Sequence, residues 1–508
     1  MLRNRQRDPV PDRLIVVSNR LPLVLNQRED GQWEAKPSSG GLVSALVPVL
    51  QRRGGIWIGW PGTTDATEFQ VGPALEQVSS DYGCTFKPVM LSEEDVNGFY
   101  FGFSNEVIWP LFHDLFTNCN FEPTYWQTYQ EVNRRFAAVT AEVCDADDFV
   151  WVHDYHLMSV ASELQRLGVP ATTGFFLHTP FPPLEIFLKM PWRFDILSDL
   201  LAYDAIGFQT LRDRRNFLYC VRALFHANVE GTGSVVRLRV HDSLGEDGRT
   251  HIGKEIAVGV FPIGIDFDRL ANTAATDQVQ QRARQLRADL GDRKIILGVD
   301  RLDYTKGLLN RLNAFRYALR RYPEMHGQVH LVQHVVPSRR EIPDYNQLRL
   351  DMEGLISEIN GEFTESGWVP IHYMFHSLPF EELVAYYVAA DIALVTSLKD
   401  GMNLVAKEYC ASKIDNDGVL ILSEFAGAAA QLHKGALLIN PHDIEQSAER
   451  IHRAFDMRID QRKQRMRLLR RTIRSQDVHR WADAFLAASA KRRPSPSAVA
   501  GEYLPRAY

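Results

Sequence analysis

Residues 294–335, KIILGVDRLDYTKGLLNRLNAFRYALRRYPEMHGQVHLVQHV, decide the fold. Residues 294–299 are an apolar run of strand length. A glycine-containing turn follows, then 309–321 repeats its apolar residues at helical spacing, and a second apolar run fills 329–335. A continuous apolar strand has both faces covered, and the helix between two such strands is the crossover that parallel pairing requires. This stretch therefore predicts one strand–helix–strand unit of a parallel α/β sheet.

Working outward, the same alternation recurs. Downstream lie strand-like runs at 392–396, 419–422 and 436–439, with helical patterns at 380–390 and 401–411. Upstream the runs fall at 14–18, 56–59, 149–153 and 173–178, and 42–52 is helical after a Gly-Gly pair. Two such series predict two doubly wound α/β domains rather than one very long sheet. FPIGID at 261–266 breaks the periodicity with Pro and Gly, so the first domain is expected over 14–264 and the second over 265–477. The helical stretch 478–490 comes after the second sheet is complete and is expected to pack back on the first domain. The tail 491–508, rich in Arg, Pro and Ser, is expected to be disordered. The polar, glycine-rich segment 230–254 reads as a surface hairpin or loop.

With 508 residues, 45% of them hydrophobic and 24% charged, the chain can bury sizeable cores. Its net charge of −6 gives no overall attraction for nucleic acid or an anionic membrane, so anion binding must fall to local basic sites. The five cysteines, Cys84, Cys119, Cys144, Cys220 and Cys410, are scattered and form no metal-ligand spacing, so they read as reduced thiols. No apolar run reaches the ~18 residues of a membrane span, and the polar opening carries no signal-peptide pattern, so a cytoplasmic location is expected. An oligomer is compatible with the chain, though nothing in it demonstrates one.

Ligands of open α/β sheets bind beyond the carboxyl ends of the strands. Polar clusters stand there. Arg20 follows the first run in VSNRLP, and Gly40 and Gly41 precede a helix in SSGGL, where plain turn chemistry is the commoner reading. His153, Asp154 and His156 in WVHDYH, and His178 in FFLHTPFP, close two further runs. Single histidines are usually structural, but two strands ending this way suggest groups that hydrogen-bond sugar hydroxyls. No third and fourth ligands recur nearby, which argues against a metal site. In GVDRLDYTKGL, Arg301 and Lys306 flank Asp303; such a pair stabilises a departing diphosphate without a metal. In SLKDGMNLVAKEYCA, Asp400 is expected to open a helix, with Leu404 and Glu408 on its face at four-residue steps. An ordinary helix cap and a solvated charge would look the same. Trp60, Tyr100, Trp109 and Arg339 lie in apolar stretches where the residues alone favour a core reading for the aromatics.

Taken in order, VSNRLP, SSGGL, IGWPG, FSNEVIWP, WVHDYHLM, FFLHTPFPPLEIF, GVDRLDYTKGL, KDGMNLVAKEY and SEFAGAAAQL closely resemble the trehalose-6-phosphate synthase family. The match runs from about residue 14 to about 490. The resemblance implies a GT-B architecture of two facing Rossmann-like domains with a cleft between them. It implies a retaining, metal-independent transfer of glucose from a nucleotide diphosphate glucose to glucose 6-phosphate, with no cofactor and small-molecule substrates as the partners. Arg20, Tyr100, Trp109 and Arg339 are then expected at the acceptor phosphate, and Asp154 and Trp60 at its sugar. Arg301 and Lys306 are expected at the donor diphosphate, with backbone near Gly41 and Leu404, Glu408 at the ribose, and His178 and Asp400 at the transferred glucose. UDP-glucose is the default donor, with GDP- and ADP-glucose left open. A synthase for another phosphorylated acceptor, such as one making glucosylglycerol phosphate, is opposed by the intact VSNRLP. A non-catalytic sugar-phosphate-binding regulator is opposed by the retention of Arg301, Lys306, Asp400 and Glu408.

Overall fold

Parallel pairing of short buried strands organises both halves of the chain. The computed structural model describes residues 13–29, 31–37, 40–240, 254–339 and 342–490; the tail 491–508 and the segment 241–253 lie outside them. The chain divides into two units. One runs to Ile263 and resumes at Val478, and the other is Gly264–Asp477.

The first unit contains β1 (Leu14–Arg20), β2 (Leu23–Gln27), β3 (Trp33–Pro37), β4 (Ile56–Trp60), β5 (Thr85–Pro88), β6 (Phe149–His153), β7 (Thr172–Phe176), β8 (Ala205–Phe208), β9 (Ala227–Glu230), β10 (Val235–Val240) and β11 (Glu255–Val260). Apart from the small β2–β3 hairpin they form one sheet in the order β5-β4-β1-β6-β7-β8-β11-β10-β9. All neighbours are parallel as far as β11, and β10 runs antiparallel to both β11 and β9. The described part of the glycine-rich segment belongs to the β9–β10 hairpin, which extends the main sheet at its edge. The chain winds outward from β1 to β5, then returns to β6 and winds the other way, so strand order reverses between β1 and β6. Residues 14–19 of β1 are all buried, which is why that run reads as continuous and apolar.

The helix Val478–Ser489 closes this unit. Its Phe485 ring stacks on Trp151 at 4.8 Å and 9° between planes, and Trp481 lies 4.9 Å from the same Trp151. Gly174 on β7 and Gly207 on β8 make the room: a Cβ on either would stand 2.9 or 2.8 Å from the Phe485 ring.

The second unit holds β12 (Lys294–Arg301), β13 (Val329–Val336), β14 (Ile371–Phe375), β15 (Ile392–Val395), β16 (Val419–Ser423) and β17 (Leu437–Ile439). They form an all-parallel sheet in the order β14-β13-β12-β15-β16-β17. This is the Rossmann order, with its reversal between β12 and β15.

Two sequence expectations need correcting. The run at 173–178 stops pairing at Phe176, so His178 lies two residues past its strand. The helix expected from 401 begins at Leu404, because Asn403 adopts a positive φ of 73° and caps it by accepting from the Ala406 N–H at 3.1 Å. Asp400 is therefore in the loop before the helix, pairing with Ala426, and does not share a helical face with Leu404 and Glu408.

Candidate active site

Both strand-order reversals carry polar side chains at the carboxyl ends of the strands. In the first unit, Arg20 ends β1 and its guanidinium carbon lies 4.6 Å over the Trp60 ring at the end of β4. Gly62, at φ +89°, leaves room for it, since a Cβ there would meet Arg20 Nη2 at 2.2 Å. Asp154 follows β6 with φ 73°, a strained backbone for a residue with a side chain. It ties two strand ends together: its N–H donates to Phe176 O at 2.8 Å, and its Oδ1 accepts from the His178 N–H at 3.2 Å.

Tyr100 and Trp109 come from a wide π-type helix, Val96–Ile108, and from the turn that continues it. Tyr100 stacks on His156 at 5.9 Å and 10°, and Trp109 lies 5.7 Å from Tyr155. Both therefore abut the segment that begins at Asp154. Burial pushes the His178 imidazole down to about 3, and His153 beside it is also held well below its ordinary value by burial, so both rings stay neutral. Gly41 is the first residue of the helix Gly41–Arg53.

In the second unit, Arg301 ends β12 with its side chain half exposed. Lys306 follows in a short turn and meets Asp400 Oδ2 at 2.6 Å across the strand-order reversal. The same oxygen accepts from Ser397 Oγ at 3.2 Å and Asn403 Nδ2 at 3.3 Å. Gly307 takes φ +62° beside the Thr396 carbonyl, where a Cβ would stand 2.2 Å away.

Asp303 is 1% exposed. Its Oδ1 accepts from the Thr305 N–H and hydroxyl, while its Oδ2 lies 3.7 Å from Arg339 and 4.0 Å from Arg301. Arg339, Lys306 and Arg301 outweigh its burial and hold its carboxyl below the usual range. Arg339 donates to the Tyr345 hydroxyl at 2.5 Å. Beneath this group, fully buried Arg311 reaches Asp300 at 2.5 Å, Gln333 at 3.1 Å and Thr396 Oγ1 at 3.1 Å. Thr396 Oγ1 also bonds the carbonyls of Lys306 and Gly307, so Arg311 braces the Lys306 turn from below. On the helix Leu404–Ser412, Glu408 accepts from the Tyr387 hydroxyl at 2.9 Å, and burial raises its carboxyl above its ordinary value. Glu408 is thus no solvated helix charge.

Sequence reasoning missed Gln209, Asn403 and Arg311. Gln209 stands just beyond β8 in GFQT, and the strand-end argument used for His178 would have found it. Arg311 sits on a helix that reads as ordinarily amphipathic, where a basic residue gives no sign of burial. Among the described residues no group of three or more His, Cys, Asp or Glu side chains is arranged to hold a metal. Nor is any described helix long and apolar enough to cross a membrane.

Two doubly wound sheets, one all-parallel and one parallel except at its β11-β10-β9 edge, each with polar side chains gathered where the order reverses, define an α/β protein of two Rossmann-like units. The glycosyltransferase family 20 profile matches residues 12–491. Trehalose-6-phosphate synthase of Mycolicibacterium smegmatis is 44% identical over 494 residues, 97% of this chain and 95% of the relative. A Burkholderia xenovorans α,α-trehalose-phosphate synthase (UDP-forming), solved with glucose-6-phosphate, superposes with a TM-score of 0.82 at 33% identity. That match covers 94% of this chain and 99% of the other. An E. coli protein solved with UDP-2-fluoro glucose gives a TM-score of 0.81 at 34% identity, over 95% and 100% of the two chains. The chain belongs to glycosyltransferase family 20, as the nine motifs imply.

Proposed function

We propose that this chain transfers glucose from UDP-glucose to glucose 6-phosphate, giving α,α-trehalose 6-phosphate and UDP. The observation that carries this reading is the gathering of Arg301, Lys306 and Arg339 around Asp303 beyond β12 and β13, in a chain so close to synthases of this reaction. Three cations here face the two carboxylates Asp303 and Asp400, and a cluster of guanidinium and ammonium groups of this kind suits phosphate oxygens.

In this reading Arg301 and Lys306 take the donor diphosphate, with the helix start at Leu404 and backbone near Gly41 assisting. Buried Glu408 takes the ribose hydroxyls. His178 and Asp400 hold the glucose being transferred. Arg20, Tyr100, Trp109 and Arg339 take the acceptor phosphate, and Asp154 and Trp60 its sugar.

The bond from glucose C1 to the diphosphate oxygen breaks while the acceptor hydroxyl oxygen bonds to C1 on the same face, which retains the α configuration. The acceptor proton passes to the departing diphosphate. Arg301 and Lys306 stabilise the charge that develops there, and the remaining groups set the approach.

The test is nucleotide release from UDP-, GDP- and ADP-glucose with glucose 6-phosphate in EDTA, with the product identified by mass. UDP and a phosphorylated disaccharide are expected. Silence with all three donors, or turnover only with another phosphorylated acceptor, would overturn the reading.

A further inference from the structure

In the first unit, three hydrogen bonds run in a chain whose direction can be worked out from one end. The Ile263 N–H donates to Gln209 Oε1 at 2.9 Å. A backbone amide can only donate, so this contact settles which end of the Gln209 amide is oxygen. The Nε2 end, 3.4 Å from His178 Nδ1, is then a donor, and His178 Nδ1 is the acceptor.

A neutral imidazole that accepts at Nδ1 carries its proton on Nε2. His178 Nε2 lies 3.1 Å from His153 Nδ1, so it donates there, and His153 keeps its own proton on Nε2. His153 Nε2 is buried without a hydrogen-bond partner among the described residues, on a ring packed against Trp151 and Trp481. Gln209 is 2% exposed and His153 0%, so both partners of the His178 ring are shielded from water. The other groups near the His178 ring are Phe176 on β7 and Trp481 on the C-terminal helix. The nearby carboxylate, Asp154, bonds the His178 main chain.

We propose that Gln209 is a positioning residue for the transfer: with the Ile263 amide it fixes His178 as the Nε2–H tautomer, which presents a hydrogen-bond donor to an oxygen of the transferred glucose. His153 Nδ1 accepts that N–H in this structure, and the sugar oxygen would take its place as the acceptor. The tautomer is set at Ile263, the last residue before the chain enters the second unit. This inference rests on the placement of His178 at the transferred glucose given above.

Gln209→Glu isolates the point. The variant keeps an oxygen for the Ile263 N–H and keeps the side-chain shape, but at a pH where its carboxyl is ionised it puts an acceptor where the Nε2 donor stood, so His178 Nδ1 takes a proton. Histidine-selective 15N NMR of the full chain reads this directly, with the His178 signal assigned by its loss in His178→Phe. The wild-type protein is expected to show His178 protonated at Nε2 alone, and Gln209→Glu to show it protonated at Nδ1. The kcat of the variant should fall on the order of 10- to 100-fold, with the glucose 6-phosphate KM within about twofold.

A wild-type His178 protonated at Nδ1 overturns the proposal, and that measurement needs no variant to fold. A tautomer change with kcat intact also overturns it. If the wild-type protein makes no trehalose 6-phosphate, the functional reading falls while the NMR still decides the tautomer. If it makes product and the tautomer is wrong, this inference alone falls.

Discussion

Replacing Arg311 with methionine should destabilise the second unit far more than a typical arginine substitution. The side chain is fully buried and its Nη2 meets Asp300 Oδ2 at 2.5 Å, with Asp300 itself 3% exposed. Gly298 lies so near that a Cβ there would stand 2.4 Å from Arg311 Nη1, so the guanidinium fills its space. Methionine approximates the volume but leaves the Asp300 carboxylate buried without its cation, a loss of about 3–5 kcal/mol. For a unit of this size that lowers the melting temperature by roughly 6–20 °C.

The pH dependence carries a second signature. Burial already raises the Asp300 carboxyl even with Arg311 present, and removing the cation raises it further. A carboxyl whose folded value exceeds its unfolded value binds more protons when folded. The variant should therefore lose stability as pH rises from about 4 towards neutrality, and its deficit against the parent should shrink in acid. Thermal melts at pH 5 and pH 7.5 of the parent, Arg311→Met and Arg311→Met with Asp300→Asn measure both effects. The double variant should recover a large part of the loss. A single variant within about 1 kcal/mol of the parent, or a double variant no better than the single, would refute the reasoning.

Three further outcomes follow from the site. Arg301→Ala should lower kcat by ~10²-fold or more, because its charge partner develops as the diphosphate departs; steady-state kinetics with unchanged kcat would remove it from that role. Arg339→Ala should raise the glucose 6-phosphate KM much more than the UDP-glucose KM, which separate titrations of the two substrates read out. His153 and His178 are held neutral when folded, so the unfolded chain binds more protons below about pH 6.5. Each ring should then cost the folded state about 2 kcal/mol at pH 5, and denaturant midpoints that stay flat from pH 7 to pH 5 would contradict it.

The sheet was legible where strands are buried on both faces. Residues 14–18 and 294–299 read as continuous apolar runs because helices cover them. β14, whose residues after Ile371 are only partly buried, and four-residue β8 left no comparable signal. Strand ends supplied Arg20, Asp154, Arg301 and Lys306 for a physical reason, since open parallel sheets place ligands there. The helix start at Asp400 was misread because its apolar spacing continues back through Gly401 and Met402, and nothing in the sequence announced the positive φ at Asn403. The wide helix Val96–Ile108 has no signature in a 3.6-residue period. Arg311 escaped because a buried arginine and a solvated one look alike until their carboxylate is placed.

The return of the chain at Val478 has a consequence for synthesis on the ribosome. The aromatic face around Trp151 is translated early, but Trp481 and Phe485, which cover it, follow only after the whole of Gly264–Asp477. At ~5–20 residues per second that interval is roughly 10–40 s, long enough for an α/β unit to collapse with one face still bare. The nascent first unit must wait with an exposed tryptophan and two glycine-lined strands, a surface that invites chaperones or premature partners until the last helix emerges.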